Sequence, residues 1–86
     1  MNLPEFLTRT EKGGIRIAGH RIGLEHVVEF YDQGYTAEMI QLQFPTVSLA
    51  LIYKALAFYL DNRAEVDAHI AEIDAEVERQ VAASPR

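Results

Sequence analysis

The side chains that could carry chemistry fall into a few sets, and their spacing sorts them. His20, His26 and His69 lack both the close i, i+4 helical spacing and the acidic company of a metal site, so no metal ligand is expected among them. Asp61, Glu65, Asp67, Glu72, Asp74, Glu76 and Glu78 are numerous, but they recur along an amphipathic segment where a solvated helix face explains them without a catalytic pair. Ser48 and Ser84 have no neighbouring base to activate them. The glycines of Gly13 to Gly19 suit a turn and a strand exit rather than a phosphate loop, because no helix follows directly. Cysteine is absent, which excludes a thiol nucleophile, a disulfide framework and thiolate-bound zinc. An enzyme is therefore the poorest class for this chain, and no cofactor is expected.

What remains is electrostatic. The net charge is −5, yet residues 1–24 carry +2 and residues 25–86 carry −7. A polyanion should meet the N-terminal segment, whereas the C-terminal half is unsuited to phosphate. If DNA is bound, the expected phosphate contacts come from Arg9, Lys12, Arg16, His20 and Arg21, with Ser48, Tyr53 and Lys54 as the available base readers. The alternative is that both charged segments are ordinary solvated surface.

These groups need elements to hold them. Gly34 to Leu60 reads as a short helix, a Pro-broken turn and a longer helix. Thr36 is an N-cap with Glu38 in the first turn, where the helix dipole favours negative charge. Met39, Ile40 and Phe44 supply its apolar face, and Pro45 ends it by removing a donor and pushing Phe44 out of the α region. Ser48 caps the next helix, whose near-continuous apolar residues from Leu49 to Leu60 predict burial around most of its circumference. Upstream, Phe6 to Glu11 and Ile15 to Ala18 read as two strands joined at Gly13-Gly14, a hairpin whose unpaired edge could join a second protomer. A first helix follows at about Leu24 to Gln33, with Val27, Val28, Phe30 and Tyr31 facing inward. Three short helices, the second and third joined by a tight turn, outline a homeodomain-like helix-turn-helix core. The fold expected is mainly α, with a leading β-hairpin and a long C-terminal amphipathic helix.

That last segment, Asn62 to Arg86, has its own character. Asn62 and Glu65 resemble a capping box, which would start a new helix, although one helix continuous from Ser48 is also compatible. Val66, Ile70, Ile73 and Val77, with Val81 beyond, form a narrow stripe on an acidic helix, the pattern of a partner-binding seam. The alternative is that it folds back over its own hairpin and helices. Residues 1–62 are thus expected to form the hairpin and helix-turn-helix domain and 63–86 a helix for partner or dimer contact, fraying from Ala83 to Arg86. No apolar run reaches bilayer length and the N-terminus lacks a secretory pattern, so the expected location is cytoplasmic.

Gly13 to Leu24 (GGIRIAGHRIGL), Gly34 to Ile40 (GYTAEMI), Phe44-Pro45 and the helix bearing Ile52, Ala55, Leu56 and Tyr59 together resemble the prokaryotic family named domain of unknown function 433. Ile17, Gly19, Arg21 and Ile22 match its hairpin signature. His20 stands where threonine is usual, Ala18 where a basic residue is common, Ile15 where proline is common and Gly23 where proline often follows. The resemblance implies a homeodomain-like fold with a leading hairpin. It further implies an antitoxin, paired with a small toxin resembling PIN-type ribonucleases. The hairpin and helix-turn-helix would then be the dimeric DNA-facing part, and the C-terminal helix, through Val66, Ile70, Ile73, Val77 and Val81, the toxin-facing part. Two other classes stay open: a homodimeric helix-turn-helix regulator without a toxin, and a non-catalytic protein-interaction module.

Overall fold

The computed structural model describes residues 1–83, with side chains described through Gln80; the expected fraying beyond Ala83 and the side chain of Val81 lie outside the described residues. Strands β1 (Leu7–Arg9) and β2 (Ile15–Ile17) precede helices α1 (Leu24–Asp32), α2 (Ala37–Gln43), α3 (Leu49–Asp61) and α4 (Arg63–Ala83). The fold is mainly helical with a leading antiparallel hairpin, as the sequence predicts.

The hairpin pairs Leu7 with Ile17, Thr8 with Arg16 and Arg9 with Ile15. Its turn is closed by Thr10, whose N–H donates to the Gly14 carbonyl and whose Oγ1 accepts the Gly14 N–H. Gly13 there has φ +86°, a conformation a Cβ would disfavour. Because side chains alternate across a strand, Leu7, Ile15 and Ile17 turn into the core while Thr8 and Arg16 stay outside; Arg9, on the same face as its partner Ile15, is nevertheless exposed at the end of β1.

Helix α1 ends in a motif built for stopping. Gly34, at φ +93°, donates to the Tyr31 carbonyl, and Tyr35 N–H reaches back to the Phe30 carbonyl. This is a Schellman closure, accompanied as usual by an apolar contact, here between the Phe30 and Tyr35 rings at 4.9 Å. Thr36 Oγ1 then accepts the Met39 N–H and Ser48 Oγ accepts the Leu51 N–H, so both expected N-caps form. The core gathers Ile15, Ile17, Leu24, Val27, Ile40, Val47, Ile52 and Tyr59 beneath the hairpin and three helices.

Three expectations need correction. Met39 is exposed, because α2 turns Ala37 and Ile40 inward and Met39 lies about a quarter turn away. Helix α3 is less enveloped than its composition suggests: Ile52, Ala55, Leu56, Phe58 and Tyr59 are buried, while Leu49, Tyr53 and Leu60 face outward. Asn62 does separate α3 from α4, but its side-chain amide donates back to the Phe58 carbonyl instead of forming the front of a capping box. The junction is further tied by the Tyr59 hydroxyl donating to the Asp67 carboxylate at 2.8 Å. Val66 sits one turn into α4 with 0% exposure, inside the same core.

Candidate nucleic-acid and partner interfaces

The five basic side chains singled out near the N-terminus are brought together. Arg9, Lys12, Arg16, His20 and Arg21 line one shallow concavity of about 680 Å³, with Thr8, Thr10, Glu11 and Gly19. Hairpin geometry explains the convergence. Arg9 and Arg16 lie on paired strands, Lys12 sits in the turn between them, and a second turn after β2 folds His20 and Arg21 back alongside. In that turn, His20 N–H donates to the Ile17 carbonyl and Ile17 N–H to the Ile22 carbonyl, with Gly19 at φ +79°. A bridge between Arg16 and Gly23 holds the returning chain against the outer edge of β2. Among the described residues, no ion pair engages Arg9, Lys12, Arg16 or Arg21. Four guanidinium and ammonium groups thus face solvent over one patch, a surface able to neutralise successive phosphates.

Ser48 and Lys54, the expected base readers on α3, are not part of this concavity. The Ser48 hydroxyl is engaged as the helix cap, and the Lys54 ammonium lies 6.0 Å from the centre of the Phe6 ring. Tyr53 is engaged too. Its hydroxyl donates to the Glu38 carboxylate on α2, which holds that carboxyl below its ordinary value and raises the phenol above its own. The fifteen-position separation of these partners left no periodic signal for the pair in the sequence.

The expected partner-binding stripe divides along α4. Val66 is fully buried and Ile70 packs partly against the core, so the first turns of α4 belong to the home domain. Ile73 is half-buried and Val77 is 54% exposed. A groove of about 640 Å³ separates this distal part from the hairpin; Arg9, Lys12, Arg16 and Arg21 line one side and Glu72, Glu76 and Gln80 the other. His69 lines the same groove, with its Nε2 buried and lacking a hydrogen-bond partner. A second groove, about 660 Å³, runs between α4 and α1, lined by Ile70, Ile73 and Val77 against Glu25, His26, Val28 and Glu29 among others. Sequence reasoning missed both grooves, because they depend on the direction in which α4 leaves Asn62. Among the described residues, no cluster of three or more His, Cys, Asp or Glu could hold a metal ion, and no helix is long and apolar enough to cross a membrane.

Hairpin, three packed helices and a fourth that runs alongside the hairpin and α1 define a small, mainly helical domain with a basic hairpin face and an acidic last helix. The chain belongs to the family described as Protein of unknown function (DUF433), whose sequence model matches residues 9–59. That match runs from the end of β1 through most of α3 and leaves α4 outside it. No curated protein and no solved structure matches the chain.

Proposed function

We propose that the protein is an antitoxin-type adaptor, which neutralises a small ribonuclease toxin of PIN-like kind through α4 and contacts its own operator DNA through the hairpin. The observation that carries this reading is the segregation of charge onto two different elements, the hairpin and α4, which face each other across one groove. Arg9, Lys12, Arg16, His20 and Arg21 share one concavity, whereas α4 bears six carboxylates against Arg63 and Arg79. An acidic helix with a half-exposed apolar stripe suits the basic groove of a nuclease, Ile73 and Val77 entering it and the carboxylates steering the approach. Val66 is committed to the home core, so it supports the helix and makes no contact with the toxin. Membership of the family agrees with this assignment through the resemblance set out above. In this scheme the protein catalyses nothing and acts in the cytoplasm.

Co-expression of a tagged copy with its adjacent reading frames, followed by mass determination of what co-purifies, tests the reading. A stoichiometric small partner that is lost on Ile73→Asp with Val77→Asp, while the domain stays folded, is the expected result. A complex that survives both substitutions refutes the role of α4. The second reading, a DNA-binding regulator without a toxin, is favoured by the basic concavity taken alone. It predicts that Arg16→Gln with Arg21→Gln weakens binding to every duplex by a similar factor and flattens the salt dependence.

A further inference from the structure

Among the described residues, five of the seven exposed large apolar side chains lie on α2 and α3: Met39, Leu42, Leu49, Tyr53 and Leu60. Leu42 is 74% exposed and Leu60 48%. On α3, Leu49, Tyr53, Ala57 and Leu60 fall within one strip of the exposed face, since steps of four, four and three residues return to nearly the same side of a helix. Met39 and Leu42 continue the strip onto α2, where Glu38 is bonded across to Tyr53. This is the face that a recognition helix would present to a base-pair groove, and it is apolar where such a helix is polar or basic. Together these side chains leave on the order of 500 Å² of apolar area, near the upper limit for a free monomer and a large part of the ~800 Å² each partner contributes to a standard interface.

We infer that the α2–α3 face is a self-association surface, on which two copies of this chain pack with their α3 helices antiparallel about a two-fold axis. Charge distinguishes a second copy from other occupants. Helix α3 has no acidic residue in its first turn and no basic residue in its last, and its final residue is Asp61, at the end where its own dipole disfavours negative charge. In an antiparallel pair centred between Tyr53 and Ala57, Leu49 of each copy meets Leu60 of the other. Each Asp61 then lies beside the other copy's α3 N-terminus, where a carboxylate is favoured, and the two helix dipoles oppose. Three other surfaces resist self-pairing. Two α4 helices would bring six carboxylates against six, and two hairpin faces would bring Arg9, Lys12, Arg16 and Arg21 against their copies. The outer edge of β2 is already engaged by Gly23. Ala50 and Ala57, both exposed, let the helix backbones approach closely.

The chain has no cysteine, so introduced thiols report alone. Light scattering over a concentration series should give twice the chain mass for the unsubstituted protein and the single-chain mass for Leu60→Glu, with an unchanged circular dichroism spectrum. Val77→Glu should leave the dimer intact. Leu49→Cys mixed with Leu60→Cys should form a disulfide-linked pair on mild oxidation, whereas neither variant alone should cross-link efficiently. The inference is overturned by a monomer at every concentration, by a dimer that Leu60→Glu leaves intact but Val77→Glu dissociates, or by cross-linking of Leu49→Cys with itself. None of these readouts depends on a toxin or on DNA, so they stand or fall separately from the antitoxin reading.

Discussion

The valines at positions 66 and 77 share a stripe in the sequence but have opposite surroundings, so truncating each should have opposite consequences. Val66 is 0% exposed within the core, whereas Val77 is 54% exposed between the two grooves. Val66→Ala removes two buried methyl groups, about 1.6 kcal/mol of transfer free energy at ~0.8 kcal/mol per group. The void left behind adds roughly another 1 kcal/mol, for a total of about 2–3 kcal/mol. In a chain of 86 residues, each kcal/mol moves the melting temperature by roughly 4–8 °C, so the expected fall is about 10–20 °C. Val77→Ala removes little buried area and gains helix propensity, leaving stability within about 0.5 kcal/mol of the parent. Thermal melts followed by far-UV circular dichroism measure both. A Val66→Ala melt within about 2 °C of the parent would show that the first turn of α4 contributes nothing to the core, and the division of the stripe would be wrong.

Three further outcomes follow from the described contacts. An NMR pH titration should place the Glu38 carboxyl below the ordinary glutamate value, chiefly because the Tyr53 hydroxyl donates to it, and Tyr53→Phe should return it upward; the depressed value means that the contribution of this pair is present above the ordinary glutamate range and is lost as pH falls through the folded-state value. Tyr59 should ionise above the ordinary tyrosine value, first through burial and then through its bond to Asp67, so its contribution is present below the ordinary value and lost as pH rises through the raised one. Ultraviolet titration reads the shift, and chemical denaturation of Tyr59→Phe should show a loss of about 1 kcal/mol. Gly34→Ala should cost about 1 kcal/mol or more in the same assay, since the added Cβ meets no neighbouring atom but the φ of +93° is strained for any L side chain.

Local chemistry made most of the fold legible before any coordinates. Pro45, Thr36, Ser48 and Gly34 each act within a few residues of themselves, and each does in the structure what its type dictates. Where adjacent apolar residues compete for one inward position, periodicity is silent. Met39 and Ile40 are neighbours on α2, and only packing against the other elements selects Ile40. The same limit applies on α3, whose apolar side chains outnumber the inward positions a helix of its length can offer, leaving Leu49, Tyr53 and Leu60 outside. The basic set was legible as a group because a hairpin returns the chain on itself. Its neighbours across the groove were not, because they are set by the angle at Asn62, fixed by one side-chain amide and the Tyr59–Asp67 bond.

That angle bears on how the two proposed partners would affect each other. Glu72 and Glu76 stand across a single groove from Arg9, Lys12, Arg16 and Arg21. A phosphate seated on the hairpin therefore feels both signs, the carboxylates opposing what the guanidinium groups favour, to the extent that physiological salt, with a screening length of about 8 Å, leaves them unscreened. A partner that covers the carboxylates of α4 with its own basic groups removes that opposition without touching the hairpin. By linkage, it then tightens phosphate binding by the same factor that phosphate tightens the partner. Independence of the two sites would require α4 to turn its acidic residues away from the groove, and Val66, buried one turn past the junction, holds it against doing so.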